Sequence, residues 1–131
     1  MTDLLLEVSA LQAAYCRAVD DRDPDLLRSI VADDVETLGA DGVPREGAAE
    51  FVGLFHRYWA RTTAPGLHLV SNVEITGDGD PIEVRALFHA VSQAADGQVV
   101  QTWGRYRDHV TRTAHGGLVF AAKRISVVHR R

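Results

Sequence analysis

The first twenty residues alternate apolar and polar positions with the period of an α-helix. One side carries the apolar residues Leu4, Val8, Leu11, Tyr15 and Ala18. A second side carries small residues and a single acid, namely Ser9, Ala13, Cys16 and Asp20. The pattern predicts a helix from residue 4 to about residue 21. It also predicts that the Asp20 carboxylate, which lies away from the charged side, faces protein or a cavity.

A second, shorter helix is predicted directly after the first. Asp23 can cap it, and Pro24 suits its first position. Its apolar side would consist of Leu26, Leu27, Ile30 and Val31, with Asp33-Asp34 at its end. A short strand over 35–38 and a turn at Asp41-Gly42 are predicted to follow.

A third helix is predicted from about residue 48 to residue 61. Its apolar residues recur at helical spacing at Phe51, Leu54, Phe55 and Tyr58. Residues 62–66 are predicted to break it, because Pro65-Gly66 is a strong turn signal.

The rest of the chain has the pattern of β-strands. Predicted strands cover residues 67–76, 82–94, 99–112 and 118–129, separated by short segments rich in Gly and Asp. Such connections indicate an antiparallel meander, and helices followed by strands define an α+β protein. We therefore predict a cone-shaped α+β barrel. Its three N-terminal helices would pack on a strongly curved antiparallel or mixed sheet, with a pocket between the two layers.

Composition narrows the functional class. The 131 residues are 46% apolar and 24% charged, which predicts one soluble globular domain over residues 1–131. A net charge of −4 gives no basic surface for nucleic acid. No apolar run suits a membrane span, and the N-terminus lacks the basic start of a secretion signal. With Cys16 as the single cysteine, no internal disulfide can form, and a cytoplasmic location is expected.

A histidine stands near the start of the first long strand. Strand alternation predicts His68, Val70 and Asn72 on one face and Leu67, Leu69, Ser71, Val73 and Ile75 on the other. Two polar residues on an otherwise apolar face indicate a pocket wall rather than a dry core. Histidine is the usual general base near neutral pH. The alternative is a half-exposed strand histidine bonded to the backbone.

Asp20 is the candidate partner of this histidine. An acid at a helix C-terminus opposes the helix dipole, so another reason for its position is expected. A carboxylate that accepts the Nδ1 proton of a histidine fixes the tautomer and leaves Nε2 free as a base. The alternative is a local bond to Arg17 or Arg22.

Other candidate ligand contacts are less specific. His89 either lines the same pocket or faces outward into a subunit interface. Trp103 shares a strand face with Val99, Gln101, Arg105 and Arg107, and this face is either cavity lining or interface. Tyr15, Phe55 and Trp59 are most simply core residues and are also candidates for pocket walls. The histidines show no metal-ligand spacing, and no cofactor-binding motif is present, so neither a metal nor a cofactor is predicted.

Four stretches resemble one known family. They are residues 14–27, Asp33-Asp34-Val35, residues 67–72 and residues 104–108, in matching order and spacing. They resemble SnoaL-like proteins of the nuclear transport factor 2-like superfamily, and look most similar to its scytalone dehydratase-like branch. Members of that branch pair an aspartate late in helix 1 with a histidine at the start of the first long strand. Asp20 and His68 occupy these positions.

The resemblance implies a cofactor-free lyase of the dehydratase type. His68 would abstract a proton from a small, mostly apolar metabolite, and Asp20 would stabilise the imidazolium. Two departures from the pattern are Val19, where the dehydratase has a tyrosine, and the lack of a clear match to a second histidine. Open alternatives are an isomerase or polyketide-type cyclase, a non-catalytic binding module and an accessory subunit. The resemblance and the apolar outer strand face predict a homodimer or homotrimer.

Overall fold

The computed structural model describes residues 3–131, without the side chains of residues 64 and 65. Three helices and six strands lie within that range. In chain order they are α1 (Leu4–Asp20), α2 (Pro24–Ser29), β1 (Val31–Leu38), β2 (Pro44–Glu46), α3 (Ala48–Ala60), β3 (Thr62–Gly77), β4 (Ile82–Ala94), β5 (Val99–Arg112) and β6 (Leu118–Arg130).

The strands form one curved sheet in the order β2-β1-β6-β5-β4-β3. The predicted meander from β3 to β6 is confirmed, because each of these strands pairs antiparallel with the next. β1 pairs parallel with β6, which makes the sheet mixed. The predicted α+β class is confirmed, although the sheet remains open, with β2 and β3 as its edges.

The core lies between α1, α3 and the inner face of the sheet. The predicted apolar side of α1 is confirmed, since Val8, Leu11, Tyr15 and Ala18 are all buried. The Tyr15 ring contacts three aromatic rings edge-on, those of Phe55 and Tyr106 at 5.7 Å and Phe120 at 6.1 Å. Full burial of one large apolar side chain contributes about 1.5–3 kcal/mol. This cluster therefore fixes α1 over the sheet.

The boundary between α2 and β1 differs from the prediction. The start of α2 is confirmed, because the Asp23 carboxylate accepts the Leu26 N–H at 3.0 Å. The helix ends at Ser29, however, and β1 begins at Val31 rather than at residue 35. Val31 pairs with Phe120 in β6, so tertiary pairing overrides the local helical pattern. β2, which was not predicted, follows the confirmed turn at residues 41–42 and pairs with the end of β1.

The predicted turn at residues 62–66 is wrong. β3 begins at Thr62, where it pairs with Ala94, and Thr63 pairs with Gln93. A register shift between Thr63 and Leu67 interrupts the pairing without ending the strand. Since β3 is an edge strand, a proline there removes no hydrogen bond from the centre of the sheet.

The predicted alternation along β3 is also corrected. Leu67 and Leu69 point outward and are 61% and 55% exposed, as one strand face requires. Val73 and Ile75, predicted on the same face, instead pack against the core. Asn72 has a φ of 54° and lies within a register shift between Ser71 and Glu74. An extra residue of this kind reverses the side-chain alternation beyond it.

Candidate active site

Asp20 and His68 are in direct contact. His68 Nδ1 lies 2.7 Å from Asp20 Oδ1, and the His68 backbone N–H donates to Asp20 Oδ2 at 2.9 Å. A carboxylate can only accept, so this contact requires the proton of a neutral imidazole to be on Nδ1. Nε2 is then left with a free lone pair. The His68 and Asp20 side chains are 10% and 15% exposed, which keeps the pair largely out of water.

The end of α1 is fixed in place by bonds to α3 and β3. Arg22 donates to the Trp59 carbonyl at 2.7 Å and to the Thr62 carbonyl at 3.0 Å. The Trp59 indole N–H in turn donates to the Val19 carbonyl at 2.9 Å. These bonds join the residues on both sides of Asp20 to the end of α3, and they join Arg22 also to the start of the strand that carries His68. The geometry of the pair is therefore built into the packing of three elements.

A cleft of about 630 Å³ lies between α1 and β3, beside His68. Its α1 wall is formed by the small-residue side of the helix, since Ser9, Ala13 and Cys16 all line it. Its β3 wall is formed by residues 68–73, which include the predicted contacts Val70 and Asn72. The volume falls in the range of small-molecule sites. The exposed side chains of Leu5 and Leu69 stand at its margin.

Tyr58 is a site residue that the sequence analysis assigned only to the apolar side of α3. Its ring lies 6.0 Å from the His68 ring in an edge-on arrangement. Burial raises the pKa of the Tyr58 phenol, and a hydrogen bond with Ser92 partly opposes this rise. Tyr58 also lines a water-sized cavity of about 10 Å³ together with Asp20 and Arg22. No local sequence pattern indicates this contact, because it joins α3 to β3.

A second charged pair lies behind the cleft. Lys123 Nζ is 3.1 Å from Asp108 Oδ2, and both side chains are fully buried. Gln12, which lines the cleft, donates to the same Asp108 oxygen at 2.7 Å. Burial lowers the pKa of the Lys123 amine, and Asp108 opposes that shift. The Lys123 ammonium also lies over the rings of Tyr15 and Tyr106, at 4.2 and 3.9 Å from their centroids.

Three predicted ligand contacts are placed away from the cleft. Tyr15 and Phe55 are 1% and 6% exposed and pack on each other in the core. Trp59 lines the small cavity behind Asp20, and its indole N–H donates to the Val19 carbonyl. The prediction that these three residues are walls of the ligand pocket is therefore wrong. The physical reason is that Phe55 packs on Tyr15 of α1 and Trp59 donates to the Val19 carbonyl of α1, so neither ring lines the cleft.

His89 and Trp103 lie on the outer face of the sheet. Their neighbours Phe88, Ala90 and Gly104 are buried on the inner face, so alternation turns His89 and Trp103 outward. The two rings stack at 4.9 Å, and His89 Nε2 lies 3.2 Å from Gln101 Oε1. Arg105 is exposed on the same outer face. The prediction that His89 and Trp103 line the pocket is therefore wrong. Of the two locations considered for them, the structure shows the outer face.

Within residues 3–131, no group of three or more His, Cys, Asp or Glu side chains is arranged to hold a metal ion. No helix in this described part of the chain combines the length and apolar character needed to cross a membrane.

Comparison with solved structures identifies the same fold in several proteins. A Novosphingobium aromaticivorans protein provisionally named an aromatic ring hydroxylase is 26% identical, with a TM-score of 0.85 over 95% of this chain and 89% of that one. A protein from the same species, provisionally named a scytalone dehydratase, is 16% identical, with a TM-score of 0.86 over 95% and 84%. A type 2 hexachlorocyclohexane dehydrochlorinase is 16% identical, with a TM-score of 0.86 over 96% and 86%.

Sequence comparison gives the family directly. No curated protein sequence matches the chain. The family model described as a SnoaL-like domain matches residues 2–124, nearly the whole length. The resemblance noted in the sequence is thereby confirmed, and the chain belongs to the SnoaL-like domain family, with a nuclear transport factor 2-like fold.

Proposed function

We propose that the protein is a cofactor-free enzyme that abstracts a proton from carbon, with His68 as the base and Asp20 as its positioning partner. The observation that carries the proposal is the 2.7 Å contact between His68 Nδ1 and Asp20 Oδ1 at the wall of a cleft. A base must offer a free lone pair to a substrate that can approach it. His68 meets both conditions, because Nδ1 is held and the residue lines the cleft.

The proposed reaction is an elimination of the dehydratase type. His68 Nε2 takes a proton from a substrate carbon next to a carbonyl or similar activating group. The electrons of that C–H bond form a double bond, and hydroxide leaves the neighbouring carbon with its own electron pair. The imidazolium, stabilised by Asp20, returns its proton to the hydroxide, so the products are an alkene and water. In this scheme the protein ends each cycle unchanged.

The cleft indicates a small and mostly apolar substrate. Ala13, Cys16 and Val70 give its walls apolar surface, and its volume suits a drug-sized molecule. Proteins of the same fold named as a dehydratase and a dehydrochlorinase support an elimination. Isomerisation and cyclisation remain the alternatives, because they begin with the same proton transfer and differ only in the fate of the electron pair.

The first proton transfer can be tested without knowing the natural substrate. We would incubate the protein in D2O with apolar ketones that carry acidic C–H bonds, 2-tetralone first, and follow deuterium uptake by mass spectrometry. The wild-type protein should accelerate exchange, and His68→Gln should reduce the rate by about 10²–10⁴-fold. His89→Gln is the matched control, because it makes the same change on the outer face and should leave exchange intact.

The competing function is a binding module of the same fold. In that case the ketones would bind in the cleft, but exchange would be no faster with the wild-type protein than with His68→Gln. Saturable binding without any exchange across the ketone series would replace the enzyme proposal by the binding proposal.

We also propose that the outer face of the sheet mediates self-association. A row of cross-strand neighbours runs over it, namely Leu69, His89, Trp103 and His129. Leu67 and Leu87 extend this apolar surface and are 61% and 42% exposed. Light scattering should give the mass of a dimer or trimer for the wild-type protein and of a monomer for Leu87→Arg. A monomeric wild-type protein at micromolar concentration would contradict this proposal.

A further inference from the structure

The cleft has two ends, and His68 occupies one of them. Asp20 at the end of α1 contacts His68, while Leu5 near the start of α1 and Val73 further along β3 line the same cleft. The helix and the strand therefore run along the cleft in opposite directions. Ser9 precedes Asp20 by eleven residues, roughly 16 Å along a helix. Asn72 follows His68 by four residues, roughly 13 Å along a strand. The two side chains consequently lie at the same distant end.

The middle of the cleft offers little to a polar ligand. Ala13 and Cys16 face it from the helix, and Val70 faces it from the strand. Burial raises the pKa of the Cys16 thiol to about 11, so this residue is uncharged at neutral pH. Gln12 also borders the cleft, but its amide is bonded to Asp108 and Lys123. The central section is thus suited to apolar surface.

The distant end carries two polar side chains, Ser9 and Asn72, beside the apolar Leu5 and Val73, and the polar groups of these two are free. Across residues 3–131, neither the Ser9 hydroxyl nor the Asn72 amide has a hydrogen bond to another protein group. A hydroxyl and an amide together offer both donors and acceptors. They can therefore bond a hydroxyl or a carbonyl group of a ligand whose apolar part fills the middle of the cleft.

We propose that Ser9 and Asn72 form a specificity subsite for a polar group at the end of an elongated, ring-containing substrate. The inference rests on the proposed function in taking the His68 end as the reactive one. The substrate would place its labile C–H at His68 and its terminal hydroxyl or carbonyl at Ser9 and Asn72. Compact molecules of the same polarity reach only one of the two ends.

Asn72 allows this subsite to be tested without changing the backbone. Its φ of 54° lies in the left-handed region, which asparagine tolerates and glycine adopts without strain. Asn72→Gly therefore removes the amide and keeps the strand irregularity in place. Ser9→Ala removes the hydroxyl and favours the helix. The double variant should fold as the wild-type protein does, which circular dichroism and thermal unfolding would verify.

The experiment compares two probes of similar size. 4-Phenylphenol carries a hydroxyl at one end of a biphenyl, and 4-methylbiphenyl carries a methyl group in its place. Dissociation constants would be measured by the fluorescence of the ligand. The wild-type protein should prefer the phenol by about fivefold, the effect of one net hydrogen bond. Ser9→Ala/Asn72→Gly should bind the two probes equally. Ser126→Ala, an exposed serine on β6, is the control and should keep the preference.

Each other outcome overturns the proposal. Equal binding by the wild-type protein, or a preference that survives in the double variant, shows that the two residues do not recognise the hydroxyl. A preference lost in His68→Gln but kept in the double variant places the hydroxyl at the dyad. No binding of either probe up to about 1 mM shows that the cleft does not hold a ring system of this length. Exchange of 2-tetralone is measured separately, so its failure would remove the enzymatic function and leave the subsite standing.

Discussion

Asp20–His68 and Asp108–Lys123 are two acid–base pairs that both meet α1, and they differ in what they leave free. Both Asp20 oxygens are bonded to His68, and His68 also lines the cleft. Lys123 is enclosed by Asp108, Gln12 and three aromatic rings, with no exposed side-chain surface. Burial alone therefore does not make a reactive pair. The pair suited to chemistry is the one that keeps a free lone pair on a cavity.

The largest expected effect is on deuterium exchange and concerns Asp20–His68, the pair that lines the cleft (the open pair). Asp20→Asn should lower the deuterium-exchange rate by about 10²–10⁴-fold, because an amide no longer selects the tautomer with a proton on Nδ1. Asp21→Asn is the matched control, since Asp21 is the exposed neighbour at the end of the same helix. An Asp20→Asn protein with wild-type exchange would show that His68 acts without its partner.

The next effect is on the free energy of unfolding and concerns Asp108–Lys123, the pair enclosed in the core (the closed pair). Lys123→Met should lower the free energy of unfolding by about 3–5 kcal/mol, because it leaves the Asp108 carboxylate buried without its cation. Asp108→Leu/Lys123→Met should recover most of that loss, since two apolar residues remove both charges. Chemical denaturation of the single and double variants measures the difference. Equal losses in both variants would mean that packing, rather than charge, dominates at this position.

Cys16 lies between the two pairs and reports on both. Burial raises the pKa of its thiol to about 11, Asp20 acts in the same direction, and Lys123 opposes them. At neutral pH the thiolate is then roughly 300-fold scarcer than for a free cysteine of pKa near 8.5. Alkylation by iodoacetamide should be slow at pH 7 and should accelerate as the pH rises toward 11. Rapid alkylation at pH 7 in the folded protein would contradict this placement.

The smallest effect tests the link between the closed pair and the cleft. Gln12→Leu removes hydrogen bonds to Asp108 and Lys123 and should cost about 1–3 kcal/mol of stability. Exchange by the folded variant should stay at the wild-type rate, because Gln12 does not contact the dyad in the structure. A large loss of deuterium exchange in a fully folded Gln12→Leu protein would show that Asp108–Lys123 contributes to the reaction.

Much of the architecture could be predicted from local patterns. The periodicity of α1, the cap at Asp23 and the turns rich in Gly and Asp each act over a few residues, so they are visible in the sequence. The family resemblance also identified Asp20 and His68 as a pair. The boundary at Val31 could not be predicted in this way, because its partner Phe120 lies almost ninety residues away.

The ligand contacts were harder to predict than the dyad. Side-chain alternation divides each strand into two faces, but it does not say which face packs against the helices. The sequence therefore could not show that Val70 lines the cleft while His89 and Trp103 lie on the outer face. Asn72 shows the same difficulty within one strand, since its left-handed backbone reverses the alternation expected for Val73 and Ile75. Tyr58 was overlooked because its contact with His68 crosses from α3 to β3.

The sequence by itself determined the α+β class, the main elements, and an acid on the small-residue side of the first helix. These follow from side-chain periodicity and turn chemistry, which are local. Only the tertiary structure decided that Asp20 meets His68 at 2.7 Å, that Lys123 is enclosed with Asp108, and which strand face borders the cleft. Distances between residues far apart in the chain depend on how the helices pack on the curved sheet. That packing is a property of the whole core rather than of any one segment.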